Sequence, residues 1–288
     1  MLTTYKTVLK RKTQLTEDVY LFNFKLVDPP EINFSAGQYL ILNVPQSPGE
    51  PVKRLYSVAS PETEKNSLEF IVQLVPNGLA SIHLNNLKVG DEEVFEGPAG
   101  AFVLRKNENS KVFLATGTGI APIRSIIISN LKSQISLLRA SFAEVATKAE
   151  QSFGGQANPY PKTQNQYYLF WGLRYYKDVY LFDEFKNLTK EQKNFQFKIC
   201  LSREESLNMI PEQDKKYFSF GHVDKEINNL CSTFNVQRST PNQNKFGSGQ
   251  VLKDMDFYIC GGRDVVESLK HCLVEKEAFQ GNIYFEKY

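Results

Sequence analysis

The chain has 288 residues with 34 basic and 32 acidic side chains, a formal charge of +2, which leaves no cationic excess to draw it onto nucleic acid or an anionic membrane. That length accommodates two domains with separate cores. Nowhere do ~18 apolar residues run together, and the opening MLTTYKTVLKRKTQ has no apolar core of the signal-peptide kind, so a cytoplasmic protein with no membrane span and small or soluble partners is expected.

The cysteines (Cys200, Cys231, Cys260, Cys272) and histidines (His83, His222, His271) are scattered, with no C-x-x-C pair. Neither a disulfide scaffold nor a metal or iron–sulfur site is expected.

Up to about residue 105, short β-type runs are broken by turn residues. YKTVLKRK, DVYLFNFKLV, QYLILNVP, RLYSVAS, SLEFIVQLV and DEEVFEGPAGAF alternate with DPPE, QSPGEP, PNG and KVGD, the punctuation of a compact antiparallel barrel of six strands. The polar LRKNENSK, 104–111, reads as a domain junction, dividing the chain into 1–106 and 107–288. Beyond it the rhythm changes. KVFLAT is a buried-strand run, GTGIAP a turn, and IRSIIISNL sets Ile123, Ile126, Ile127 and Leu131 at helical spacing, with Pro122 suited to a first turn. YYLFWGL, FQFKICLS, DFYICGG and NIYFEKY repeat the strand pattern, and segments such as KDVYLFDEFKNL and RDVVESLKHCLVEKEAF are long enough for crossover helices. The expected fold class is α+β in two domains, an antiparallel β-barrel followed by an α/β parallel sheet with helices on both faces. Residues 151–166 and 235–250, rich in Gly, Pro, Asn and Gln, are expected to be long loops and are assigned no chemistry.

In an open parallel sheet, ligands sit outside the carboxyl ends of the strands. TGTG (116–119), GLR (172–174), LSR (201–203) and CGGR (260–263) each follow a strand run, which gathers glycines, hydroxyls and arginines, Arg174 among them, along one edge. Glycine backbone and helix N-terminal amides there suit an anionic dinucleotide. GTGIAP lacks the third glycine of the usual fingerprint and fits a plain strand-to-helix turn equally well. Ser202 beside Arg203 suits a phosphate monoester, the group that separates NADP from NAD; the other reading is a solvated Arg203 paired with Glu204 or Glu205. In the first half, strand alternation puts Arg54 and Tyr56 on one face, so cation and ring could serve one ligand, while Ser57 faces away unless the strand ends there. Asn77 and Gly78 form a turn, and Ser81 follows in the first turn of a short helix, a second place for a phosphate. Tyr288 closes the β-type run NIYFEKY and is expected to dock against something flat; the alternative is an edge strand whose tyrosine covers the core.

Together these residues resemble the ferredoxin–NADP reductase family, most of all its plant-type branch, from about Tyr5 to the last residue and interrupted by the two loops. RLYS resembles the R-x-Y-S flavin motif, which implies Arg54 on the FAD pyrophosphate, Tyr56 against the isoalloxazine ring with Leu55 also at the cofactor, and Ser57 near flavin N5. GLAS, with Gly78 and Ser81, resembles the second FAD-phosphate motif, and GPAGAF the segment closing the barrel. ATGTGIAPIRS resembles the pyridine-nucleotide loop, implying Gly117, Thr118 and Gly119 along the dinucleotide. LSRE resembles the NADP 2′-phosphate site, and YICGG the C-G turn that puts Cys260 and Gly261 near the nicotinamide. Glu286 and Tyr288 resemble the plant-type E-x-Y ending, in which the tyrosine covers the flavin and the glutamate joins a polar network. Gly262 and Val266 depart from the proline and methionine often found there, and the tyrosine that holds the adenosine end has only Tyr217 as a substitute.

The resemblance implies FAD and NADP(H) as cofactors, with Ser57, Cys260, Glu286 and Tyr288 as catalytic residues of a hydride exchange with NADPH. It implies ferredoxin or flavodoxin as a separate one-electron carrier, which Lys10, Arg11, Lys12 and Lys53 could meet. The reductase component of an oxygenase, a free-flavin or ferric reductase, and a non-catalytic flavin-binding sensor are the alternatives.

Overall fold

The computed structural model describes residues 2–131, 165–237 and 252–288. Of the two stretches expected to be loops, 151–164 and 238–250 lie outside the described residues.

The first lobe is a six-stranded antiparallel sheet in the order β4-β3-β6-β1-β2-β5. Its strands are β1 (Thr3–Gln14), β2 (Val19–Asp28), β3 (Tyr39–Val44), β4 (Val52–Ser57), β5 (Ser67–Gln73) and β6 (Glu92–Ala99), with helix α1 (Leu79–Asn86) between the last two. All six expected strands are present. Alternation gives each strand one inward face, and β2 and β5 pair Phe22 with Phe70 and Phe24 with Leu68 across that face. Phe70 and Phe95 stack at 4.9 Å, and Phe24 meets Phe95 edge-on at 5.2 Å, so aromatic packing fills the interior. The sheet curls until the chain just past β4 reaches β5, where the Ala59 N–H donates to the Glu69 carbonyl (2.7 Å) and the Glu69 N–H to Ser60 Oγ (3.1 Å).

The second lobe is a six-stranded parallel sheet in the order β10-β9-β8-β7-β11-β12. It comprises β7 (Ser110–Thr116), β8 (Tyr167–Leu173), β9 (Phe195–Leu201), β10 (Phe218–Phe220), β11 (Met255–Gly261) and β12 (Ile283–Lys287). Helix α2 covers 120–131, and α3 (Phe182–Glu191), α4 (Val223–Gln237) and α5 (Arg263–Glu275) follow. Every residue of β11 is buried, as a strand covered on both faces must be. Val266, Leu269 and Leu273 form the buried stripe of α5. From β7 the chain builds outward to β10 and then returns to place β11 on the other flank of β7. The strand order therefore reverses between β7 and β11, and the crevice outside their carboxyl ends is the natural ligand position of such a sheet.

Three expectations need correction. KDVYLFDEFKNL is helical only from Phe182, because Leu181 takes a left-handed φ of 56° and the preceding Tyr176–Asp178 form a 3₁₀ turn. Residues 235–237 are not loop but the last residues of α4. β10 was not expected at all; its three residues are defined by pairing with Ile199–Leu201, too few to show a pattern of their own.

The lobes share a core. Val19, Leu21, Ala59, Ile71 and Phe102 from the barrel pack in one cluster with Phe113, Ile120, Ile123, Ile126 and Ile127 of β7 and α2. The polar junction 104–111 is pinned as well. Lys111 and Asp256, 1% and 0% exposed, pair at 2.8 Å at the start of β7 and β11, and the Asn107 and Asn109 amides donate to the same carboxylate at 2.9 and 2.8 Å. Among the described residues, no helix is long and apolar enough to cross a membrane.

Candidate active site

The carboxyl ends of β7 and β11 are brought together by absent side chains. A Cβ on Gly119 would overlap the Cys260 carbonyl, and one on Gly261 would overlap Thr116 Oγ1. Both glycines are needed for close approach of the two strand ends, a different reason from the approach of a phosphate that the sequence suggested. Gly117 does need its freedom, with φ 51°. Its carbonyl is fixed by two donors, the Trp171 indole N–H at 3.0 Å and the Tyr180 hydroxyl at 3.1 Å. The two rings meet edge-on at 4.7 Å. Neither residue was singled out from sequence, because each reaches the turn only through the fold.

β12 lies beside β11, with Glu286 opposite Cys260. From the barrel, edge strand β4 ends at Ser57, whose hydroxyl donates to Glu286 Oε1 at 2.6 Å. Burial pushes the Glu286 carboxyl upward and the Ser57 bond pulls it partly back. Cys260 is 2% exposed, and burial lifts its thiol well above the ordinary range, with Glu286 adding to the effect. It is therefore a protonated, space-filling group rather than a thiolate nucleophile. The Tyr288 N–H donates to the Gly261 carbonyl (3.3 Å), and its hydroxyl donates to the Thr116 carbonyl (2.7 Å), facing Thr118 and the Gly119 amide. The residue as a whole is 63% exposed. Ser57, Gly117, Thr118, Gly119, Cys260, Gly261, Glu286 and Tyr288 thus converge from both lobes on one cleft.

The remaining candidates extend from this cluster in two directions. On β4, Arg54 and Tyr56 stand opposite Leu42 and Leu40, on one face as alternation requires, and Leu55 between them is 58% exposed. Arg54 is exposed and donates to the Lys53 carbonyl. The Tyr56 ring packs edge-on to Phe70 at 6.3 Å, and burial pushes its phenol up to about 12, with Arg54 working against the shift. Gly78 and Ser81 lie at the start of α1, where Ser81 Oγ accepts the Val75 N–H at 2.9 Å and so first of all closes its own turn.

In the other direction, the ends of β8 and β9 are tied together: Ser202 N–H donates to the Leu173 carbonyl (3.0 Å) and Arg203 N–H to that of Arg174 (2.9 Å). Both arginine side chains are exposed. Glu204, one of the expected partners of Arg203, instead accepts the Tyr176 N–H at 2.7 Å. The Ser202 hydroxyl donates to the Leu173 carbonyl at 3.2 Å.

Tyr217 lies elsewhere. It stacks on Phe197 at 4.9 Å and borders a hollow of about 600 Å³ beside the first half of β9, away from the strand ends. Three of the four cations considered for a carrier are engaged within the chain: Lys12 donates to the Leu84 and Asn85 carbonyls, and Arg11 and Lys53 face Glu69 and Glu96 at 3.7 Å.

Residues 6–104 match the oxidoreductase FAD-binding domain and residues 113–271 the oxidoreductase NAD-binding domain. The toluate 1,2-dioxygenase electron transfer component of Pseudomonas putida is 25% identical over 285 residues, covering 99% of this chain and 67% of that protein. Among solved structures, the Amycolatopsis cytochrome P450 reductase GcoB superposes with TM-score 0.72 at 22% identity, covering 99% of this chain and 70% of that one. A ferredoxin NADP+ reductase from Neisseria gonorrhoeae with bound FAD and NADP superposes with TM-score 0.69 at 19% identity, covering 99% and 98%. The chain spans about two thirds or less of the first curated relatives it matches. It belongs to the FAD- and NAD-binding oxidoreductases of the ferredoxin–NADP reductase family.

Proposed function

We propose that the chain is an FAD-dependent NADP(H) oxidoreductase that accepts a hydride from NADPH and passes single electrons to a separate soluble carrier, ferredoxin or flavodoxin, in the cytoplasm. The observation that carries this reading is the meeting of Ser57, Cys260, Glu286 and Tyr288 where β4 approaches the ends of β11 and β12, at the strand-order reversal of the parallel sheet. The residues present fit two nucleotides. Arg54 and Arg203 are exposed cations on either side of the cleft, Tyr288 is an exposed aromatic residue between them, and a Cβ on Gly262 would meet nothing within 4 Å. In this reading, residues 1–106 form the FAD-binding domain and 107–288 the NADP(H)-binding domain.

Bound FAD supplies the exchange between a two-electron hydride and one-electron steps; the chain's own residues bind, orient and shield. Arg54 holds the pyrophosphate through its guanidinium fork, with Gly78 and Ser81 at a second phosphate position. Tyr56 packs against the ring system, and Leu55, whose side chain lies on the other face of β4, meets the cofactor through its backbone. Ser57 fixes a hydroxyl at the ring edge through its bond to Glu286 Oε1, and Glu286, shifted toward its protonated form, holds or releases a proton at Oε2, the oxygen that does not accept from Ser57. Gly117, Thr118 and Gly119 line the dinucleotide, and Cys260 and Gly261 shape the nicotinamide pocket. Tyr288 would have to give up its hydrogen bond to the Thr116 carbonyl to admit the nicotinamide. Ser202, Arg203 and Arg174 meet the 2′-phosphate.

A second reading, the reductase component of an oxygenase, is supported by the likeness to the toluate dioxygenase electron transfer component. Anaerobic turnover with NADPH and NADH, each followed by ferredoxin, flavodoxin or an oxygenase component as acceptor, separates the two. Reduction of ferredoxin or flavodoxin supports the leading reading; transfer to the oxygenase component alone supports the second. Arg203→Ala should weaken NADPH use about tenfold or more through loss of a charge-assisted hydrogen bond and leave NADH within about twofold. An equal loss for both nucleotides overturns the phosphate assignment.

A further inference from the structure

Helix α2 leaves the Gly117–Gly119 turn and runs against residues 58–62, the continuation of β4 beyond Ser57. Polar bonds at three levels join the two. Arg124, 9% exposed, donates from Nη1 to the Ala59 carbonyl (2.7 Å) and the Glu69 carboxylate (2.9 Å), and from Nε to Glu184 of α3 (2.9 Å). One residue on, Ser125 Oγ donates to the Ser60 carbonyl at 2.6 Å, and a turn later Ser129 Oγ accepts the Glu62 N–H at 2.9 Å. Burial opposes the Arg124 charge, but Glu184 and Glu69 outweigh it and hold the guanidinium ionised.

Adhesion between the lobes does not require this arrangement, since Ile123, Ile126 and Ile127 already supply apolar contact. A buried ion cluster adds little net stability over such packing. What a planar fork with fixed donors adds is direction. The positions it fixes are short chain distances from both sides of the cleft: Ala59 is two residues past Ser57, and Arg124 is five past Gly119.

We propose that Arg124 is a positioning residue that sets the spacing between the Ser57 side of the cleft and the Gly117–Gly119 turn, and with it the distance over which the hydride crosses. This rests on the function proposed above. Arg124 acts through Ala59 and Glu69 from outside the cleft, so its loss should impair transfer rather than binding.

The test uses the full FAD-loaded chain as wild type, Arg124→Lys and Arg124→Met, with Phe24→Leu as a control of matched melting temperature. Expected in Arg124→Met are FAD content and NADPH dissociation constant within about twofold of wild type, and a limiting rate of anaerobic flavin reduction lower by about tenfold or more, as small misplacements at a reacting centre produce. Amide exchange at 58–62 should quicken about tenfold or more, while that of β2 stays unchanged. Arg124→Lys, which keeps the charge without the fork, should recover only part of the rate, and it carries the comparison should Arg124→Met not fold. A limiting rate within about twofold of wild type, or a loss equalled by Phe24→Leu, overturns the proposal. If neither nucleotide reduces the wild-type flavin, the parent reading falls, and the exchange measurement still decides: unchanged protection at 58–62 in the variants overturns the role of Arg124.

Discussion

Ser57 and Glu286, 229 residues apart in the chain, are joined by a hydrogen bond of 2.6 Å that links the last residue of a barrel edge strand to the edge strand of the parallel sheet. The bond crosses between lobes beside Cys260, which lies opposite Glu286, and Tyr288, two residues on. It also sets a protonation state, since the serine hydroxyl donates to the carboxylate and favours its ionised form against the effect of burial.

The pH dependence of stability should report that balance. Glu286 has a raised folded-state pKa, so its contribution to stability is fully present below the unfolded value of about 4.3 and is lost as pH rises through the folded value. Glu286→Gln removes this titration. The stability of wild type relative to the variant should therefore fall as pH rises from the unfolded value through the raised folded value, and Ser57→Ala should raise the Glu286 pKa further. Melting curves across that range and a carboxyl carbon NMR titration check both. A Glu286 midpoint at or below the ordinary glutamate value would contradict the burial assigned to it.

Gly119 and Gly261 should respond differently to alanine. Gly119→Ala drives a methyl into the backbone of Cys260, which cannot rotate away, whereas Gly261→Ala meets the Thr116 hydroxyl, which can be removed. Each should cost about 1–3 kcal/mol in urea denaturation. Adding Thr116→Ala should restore most of the loss in Gly261→Ala and none in Gly119→Ala. Failure of that rescue would show that the strand ends are not packed as described.

The Gly117 carbonyl offers a cycle. With Trp171 and Tyr180 both donating to it, Tyr180→Phe should cost about 0.5–1.5 kcal/mol, because the indole bond remains. Trp171→Phe removes volume as well as a donor. The double variant leaves the carbonyl with neither side-chain donor and should lose more than the sum of the two. Strict additivity in the double-mutant cycle would mean the two donors do not share an acceptor.

Lys111 and Asp256 form the opposite end of the same two strands. Burial lowers the Lys111 pKa and Asp256 works against it. Lys111→Met leaves the Asp256 charge buried with only the Asn107 and Asn109 amides, which should cost about 3–5 kcal/mol. Lys111→Met combined with Asp256→Leu should recover a large part. A single variant within about 1 kcal/mol of wild type in chemical denaturation would contradict a buried, paired charge.

These particulars show what sequence reading reaches. The barrel strands are legible because one face of each is packed, which writes a period of two into the residues. β7 and β11 are legible as continuous apolar runs because both faces are covered. KDVYLFDEFKNL is long enough to read as one helix, whereas the left-handed Leu181 confines the helix to the part from Phe182 onward. β10 is set by its neighbour Ile199–Leu201 and not by itself. The cleft residues stood out through local motifs, but those that hold the cleft did not. Trp171, Tyr180 and Arg124 reach their backbone acceptors across 54, 63 and 65 residues, and no local spacing announces such a bond. The reason for Gly119 and Gly261 was hidden for the same cause, since their partners lie on the other strand.

The proposed chemistry needs a flavin held beside Ser57, Glu286 and Tyr288 and reducible by nicotinamide. The most direct measurement loads the purified chain with FAD, removes the excess, and follows the visible spectrum during anaerobic titration with NADPH. Retention of about one FAD per chain, with loss of the yellow absorbance on adding NADPH, is the predicted result. A chain that retains neither FAD nor FMN, or a bound flavin that neither NADPH nor NADH bleaches, would contradict it.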